Sequence, residues 1–178
     1  MYISEIFQGA PEEKRGDLEM RVYQELNTLG IPFTRIDNEP AETMEECVAL
    51  DQRLGAEIRK TIVVCNRQKT NFYLVVLPAN KPFDTKNFCA KLGCARVSFA
   101  SAELMKEKLG VVPGSATIMG VLNDPEGQVQ VVIDQEVAKD EWFACNPGVN
   151  TTHIKFRTEQ LLNLFLPHTA HKAAIVEL

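Results

Sequence analysis

Along the chain the apolar positions change period, and each change marks an element. Leu18, Val22, Leu26 and Leu29 recur at helical spacing, and Gly30-Ile31-Pro32 ends that run. Pro32 to Ile36 then alternates as a short strand. A second helix is predicted over Thr43 to Leu54, with Thr43 and Glu46 spaced as a capping box and Gly55 just past its end. Ile58 to Asn66 and Asn71 to Pro78 read as a hairpin across Arg67–Thr70. The runs Thr61-Ile62-Val63-Val64 and Phe72-Tyr73-Leu74-Val75-Val76-Leu77 have the pattern of strands covered on both faces. A helix follows over Asp84 to Leu92, then a short strand over Arg96 to Phe99, then a helix capped by Ser101 that runs to Leu109.

Beyond the turn-rich loop Gly110-Val111-Val112-Pro113-Gly114-Ser115, strands are expected over Thr117 to Leu122 and Gln128 to Ile133, joined by the turn Asn123–Gly127. Trp142 to Cys145 and Thr151 to Phe156 read as two more strands flanking Asn146-Pro147-Gly148. Thr158 to Leu166 reads as the last helix and Ala173 to Val176 as the last strand. Residues 1–16 read as a loose lead-in to a single domain over residues 17–178. Helices and strands interleave, yet several strands are joined by tight turns. The expected fold class is therefore mixed α/β, with a curved, barrel-like sheet surrounded by helices.

Composition narrows the picture. The chain has 178 residues, of which 45% are hydrophobic, and a chain of that size buries roughly 70% of its unfolded surface without staples. No apolar run approaches the roughly 18 residues of a membrane span, and the first residues carry Glu5, Glu12 and Glu13 rather than a secretory signal. A cytoplasmic location, with no membrane partner, is the expectation. A net charge of −5 argues against a broad phosphate-gripping surface but leaves room for a local basic pocket that holds the end of one nucleic acid. The five cysteines are odd in number, which suggests reduced thiols. Cys89 and Cys94 match no common zinc spacing and have no histidine nearby, so no metal and no cofactor are expected.

Three places could carry chemistry. Lys60 shares a strand face with Ile58, Ile62 and Val64 and is the single cation on that apolar face. Such an amine either snorkels from a strand end or binds an anion or carbonyl inside a pocket. In the Gly110–Ser115 loop, the amides of Gly114 and Ser115 could point together at an oxyanion, or the loop could be a plain turn after a helix. The stretch Cys145 to His153 sets polar side chains between two apolar strands. It could pair Cys145 with His153 as nucleophile and base, but nothing marks Cys145 as a low-pKa thiol. Asn150 and Thr151 fit better as turn-formers and hydrogen-bonding groups. His168 and His171, near the C-terminus, are expected to face solvent.

Several stretches follow one another in a fixed order. They are Gly55-Ala56-Glu57-Ile58-Arg59-Lys60-Thr61, Tyr73 to Pro78, Leu92 to Ala100, Leu109 to Ser115, Leu122-Asn123-Asp124 and Asn146-Pro147-Gly148-Val149-Asn150-Thr151. Together they resemble the YbaK/ProX family of aminoacyl-tRNA deacylases, and within it the PrdX/ProXp-ala branch associated with prolyl-tRNA synthetase. The resemblance spans roughly residues 17–178 and implies a mixed α/β editing fold that hydrolyses mischarged tRNA. For this branch the implied substrate is Ala-tRNA(Pro), because a pocket that fits proline cannot exclude smaller alanine by size. The implied partners are the acceptor end of the tRNA and prolyl-tRNA synthetase.

Residue by residue, Lys60 matches the family's pocket lysine, Gly114 and Ser115 match the loop facing the ester, and Asn150 matches the polar residue of the late motif. Those four are the implied catalytic set, with Asn146, Thr151 and His153 binding substrate. The resemblance also implies a positioned water and the substrate's own ribose hydroxyl in place of a covalent nucleophile. The chain departs from the family's usual pattern in three places. Asn146-Pro147 replaces His-Pro, His153 stands where threonine is common, and Asn38-Glu39-Pro40 replaces a histidine before proline. Beside deacylation, these departures leave a non-catalytic binding module of the same fold as the other reading.

Overall fold

The computed structural model describes residues 1–178. Nine strands form two sheets. One contains β1 (Phe7–Gln8), β2 (Thr34–Asp37), β8 (Thr152–Arg157) and β7 (Trp142–Cys145), in that order and all antiparallel. The other has the order β5 (Val97–Phe99), β3 (Lys60–Asn66), β4 (Phe72–Leu77), β6 (Val129–Asp134), β9 (Ala174–Val176) and mixes antiparallel with parallel pairs. The mixed α/β class stands, but the sheets stay open. A parallel bridge between Ile58 and Ala144 links them without closing a barrel.

Alternation along the strands sorts the core into three layers. Val63 and Cys65 of β3, Leu74 and Val76 of β4, and Phe143, Cys145, Ile154 and Phe156 of the other sheet fill the main core between the sheets. This core also takes Val22, Tyr23 and Leu26 of α1 (Asp17–Thr28) and Met105 and Leu109 of α4 (Ala102–Leu109). On the far face of the five-stranded sheet, Val64, Tyr73, Val75 and Leu77 pack on Phe88 of α3 (Thr85–Leu92). On the far face of the other sheet, Ile36 and Ala144 pack on Leu50 and Leu54 of α2 (Met44–Leu54). The helix ends follow the sequence signals. Thr43 and Glu46 form a capping box, and the side chains of Asp84 and Ser101 cap α3 and α4.

Three expectations need correction. Thr117–Leu122 is not a strand, because Ile118–Asn123 winds as a 3₁₀ helix with Thr117 as its cap. The turn after it therefore makes no hairpin, and β6 lies parallel beside β4 with Phe72 opposite Val129. Residues 1–16 are not a loose lead-in. Phe7–Gln8 pairs with Thr34–Arg35, and Arg15 grips both Asp37 oxygens at 2.7 and 2.9 Å. His171 does not face solvent. Its ring is buried and bonded to Asp124 Oδ2 at 2.7 Å, which ties the C-terminal segment to the start of β6, whereas His168 stays half-exposed beside Glu25. The chain ends with α6 (Thr158–Gln160), a π-helical turn over Leu161–Phe165, α7 (Leu166–His168) and β9; between the sheets' strands, α5 (Gln135–Lys139) links β6 to β7. No helix is long and apolar enough to cross a membrane.

Gly127 makes the same C-terminal contact possible. Its φ is +66°, and a Cβ there would sit 2.5 Å from the Ala170 carbonyl oxygen. Gly127→Ala should destabilise the fold by about 2–4 kcal/mol, since a rigid backbone atom must move and the conformation disfavours a side chain. Urea unfolding with an unchanged m-value is the measurement.

Candidate active site at the split in the sheet

The site is set by one strand that changes partners. Before β3 proper, Ile58 bridges Ala144, and Arg59 N–H donates to the Ala144 carbonyl at 3.0 Å. Farther along, Ala100 N–H donates to the Val63 carbonyl at 2.9 Å, and Val64 lies opposite Phe99. Between these contacts β7 and β5 part. Lys60, Thr61 and Ile62 are paired with Leu77, Val76 and Val75 on one edge, and on the other edge they lie in the gap. The parallel bridge puts Asn146 two residues past Ala144, as Lys60 is two residues past Ile58. The late loop thus leaves its strand level with Lys60.

Lys60 lies on the face shared with Ile62 and Val64, toward α3 rather than the main core. Its amine is half-buried and donates to the Lys81 carbonyl in the loop after β4. No carboxylate pairs with it, unlike Lys81 itself, which contacts Asp134 at 2.8 Å and Glu136 at 3.0 Å. The Lys60 charge is therefore held by a neutral dipole and left uncompensated. No hydrogen bond joins it to residues 110–115.

The two candidate loops meet each other. Asn146 Nδ2 donates to the Ala116 carbonyl at 3.2 Å, and Thr117 Oγ1 donates to the Asn146 carbonyl at 2.6 Å. Asn146 Oδ1 accepts from Gly148 N–H at 2.8 Å, so this side chain shapes its own turn. Gly114 has φ +89° and open space around it, and its amide has no partner. Ser115 differs. It is buried, and its amide donates to the Val112 carbonyl at 3.1 Å. Ser115 therefore closes the loop, and of the two candidate amides only that of Gly114 is free. Asn150 and Thr151 are exposed at the tip of the late loop.

Asn38 holds that late loop in place. Its N–H donates to the Thr151 carbonyl at 2.9 Å, and its Nδ2 donates to the Asn150 carbonyl at 3.2 Å. Its Oδ1 lies 2.9 Å from His153 Nδ1, which must carry the proton because the amide oxygen can only accept. Beside it, Thr152 Oγ1 donates to Asp37 at 3.1 Å. Burial pushes the Asp37 carboxyl up, but the Arg15 and Arg35 guanidiniums outweigh it and hold the group at about 2. In sequence Asn38 showed only as a departure from a family pattern. Its pairing with residues 150–153 is long-range, and no local period reports such a contact.

The thiol reading does not survive. Burial pushes the Cys145 thiol up to about 12, and its side chain lies in the main core. His153 pairs across the sheet with Ile36, on the opposite face. The two side chains are therefore not a nucleophile and its base.

The polar groups around the split are the free Gly114 amide, the side chains of Asn38 and Asn146 and the Lys60 amine, and no reactive thiol is among them. Comparison with known proteins shows the family. Residues 38–164 match the aminoacyl-tRNA editing domain family, and the chain belongs to it; it is an aminoacyl-tRNA deacylase. The prolyl-tRNA editing protein ProX of Acetoanaerobium sticklandii is 29% identical over 145 residues, covering 82% of this chain and 88% of that protein. Prolyl-tRNA synthetase associated domain-containing protein 1 of Mus musculus is 26% identical over 171 residues, covering 94% and 98%. A crystal structure of a proposed trans-editing enzyme for prolyl tRNA synthetase shares the fold, with TM-score 0.64 at 17% identity over 93% of this chain and 99% of that one.

Burial lowers His153 from 6.5 to about 4, so the folded protein keeps the ring neutral where the unfolded chain protonates it. Stability should fall as pH drops from 6.5 to 4, by up to about 3 kcal/mol for this group. Asp37 contributes separately, below pH 3.8. Thermal unfolding of His153→Gln across pH 4–7 should show a flatter profile than wild type, and an equal slope would refute the assignment.

Proposed function

We propose that the chain removes a wrongly attached amino acid from tRNA(Pro), with alanine as the residue released and prolyl-tRNA synthetase as the enzyme whose errors it clears. The observation that carries this reading is the uncompensated Lys60 amine at the sheet split, level with the late loop. The names of the relatives support the prolyl assignment. The pocket logic supports alanine, since a proline-sized synthetase site admits the smaller side chain and a second site must reject the product.

In this mechanism the terminal adenosine enters the split and its ester lies between the two loops. The Lys60 ammonium holds the nucleotide's negative charge, or that of the developing tetrahedral oxyanion. Gly114 N–H donates to the ester oxygen. A water, positioned by Asn150, Thr151 and the substrate's free ribose hydroxyl, attacks the carbonyl carbon. The tetrahedral centre then collapses with cleavage of its bond to the ribose oxygen, which takes up the proton that the attacking water gives up and leaves as the free tRNA end, with the amino acid released as its carboxylic acid. Asn146 and His153 act in binding by fixing the loop that frames the amino acid.

A deacylation panel tests this. Release of alanine from Ala-tRNA(Pro) should exceed release from correctly charged Pro-tRNA(Pro). Lys60→Ala should cut kcat/KM by about 100-fold or more, the size expected when a charge-stabilising donor is lost. Cys145→Ala should stay within roughly threefold, as for a residue outside the chemistry. A wild-type protein that binds these tRNAs and releases nothing would refute the reading.

A further inference from the structure

Away from the split, the other end of β3 carries a feature that the chemistry above does not use. A groove of about 770 Å³ lies between the β3–β4 turn and β5. Arg67, Lys69 and Arg96 line it, and no carboxylate does. None of the three cations enters an ion pair. In a chain of net charge −5 this is a local reversal of sign. The turn that presents Arg67 and Lys69 is fixed. Asn66 Oδ1 accepts from the amides of Thr70 and Asn71 at 2.9 and 3.0 Å, and Lys69 sits at φ +57°. Cations on a rigid turn lose less freedom on binding than cations on a floppy one.

Phe99 lines the same groove and is 65% exposed. It lies opposite Val64, on the face that also carries Lys60, and Phe83 supports it with ring centroids 6.1 Å apart. Along β3, Lys60 and Asn66 are separated by about 20 Å at 3.3 Å per residue. A strand of RNA whose terminal ester lies in the split would pass Phe99 and meet the three cations within that distance.

We infer that this groove grips the acceptor arm of the tRNA, with Arg67, Lys69 and Arg96 on backbone phosphates and Phe99 stacked against an unpaired base. The inference rests on the tRNA substrate proposed above and adds where the protein holds it. Phosphates match the three unpaired cations, and an aromatic ring standing open on a sheet is the platform on which an unstacked base is bound. An acidic protein surface would satisfy the cations but would give Phe99 no such role.

The test is binding of uncharged tRNA(Pro) by fluorescence anisotropy between about 50 and 200 mM salt. The R67A/K69A/R96A variant should weaken binding by about 10- to 100-fold and reduce the slope of log affinity against log salt by about 2 to 3, one increment per lost phosphate contact. Phe99→Ala should weaken binding about tenfold, and Phe99→Trp should restore it. Lys139→Ala, which removes an exposed cation on α5, should change neither affinity nor slope. Thermal unfolding checks that each variant is folded. An unchanged salt slope in the triple variant overturns the inference, as does equal binding by Phe99→Ala and wild type. The same proteins assayed for deacylation separate this claim from the one above. Turnover of Ala-tRNA(Pro) by wild type with unchanged KM in the triple variant sinks the groove and spares the function. Groove-dependent tRNA binding with no turnover of any aminoacyl-tRNA does the reverse.

Discussion

One strand serving two sheets is the constraint on which the molecule depends. Residues 58–59 belong by hydrogen bonding to β7, residues 63–66 to β5, and the stretch between has a neighbour only on the β4 side. Both faces of β3 are covered, Val63 and Cys65 by the main core and Ile62 and Val64 by the α3 layer. Sliding the strand by one residue would exchange those two sets. Burial therefore fixes the register of β3, and the register fixes where the gap opens. Lys60 owes its position to apolar neighbours that have no part in chemistry.

The loops around the gap are held by a second kind of constraint, polar and long-range. Asn38 spans from the end of β2 to Asn150 and Thr151 of the late loop and to His153 of β8, and Arg15 reaches Asp37 and Thr152 from a segment before the first helix. Buried hydrogen bonds of this kind add modest net stability, but breaking one leaves a partner unsatisfied. They specify one arrangement of loops that hydrophobic packing alone would leave open.

How much of this could be read from sequence divides along the same line. The hairpin of β3 and β4, the capping box of α2 and the alternation that puts Lys60 with Ile62 are local patterns, and they are legible in the sequence. Thr117–Leu122 misleads because its apolar run fits a strand and a buried 3₁₀ turn equally, and the tight approach of Gly120 to Leu109 is a tertiary contact that the run does not report. The tight turns suggest a curved, barrel-like sheet, whereas the two sheets stay open. Closure depends on pairing between distant edges, and β7 meets β3 at a single bridge. Of the candidate residues, Gly114 has the free amide its loop suggested, whereas Ser115 spends its own on Val112, a contact three residues away that residue types do not reveal. Residue types alone do not reveal Asn38 and Arg15 as loop-holding groups, since the contacts that reach the late segment, Asn38 to Asn150 and Arg15 to Thr152, join residues more than a hundred apart in the chain.

The tether from Arg15 has a practical side. A shortened chain starting at the first helix would keep Val22, Tyr23 and Leu26 in the main core, along with both outer layers. By circular dichroism it would keep most of its helix and strand signal. It would nevertheless have lost the guanidinium that pins Asp37 and Thr152, and with it the edge strand at Phe7 that flanks them. Trimming the apparently dispensable leader is thus a way to separate integrity of the fold from integrity of the loops, and a well-behaved truncate is poor evidence that the leader is idle.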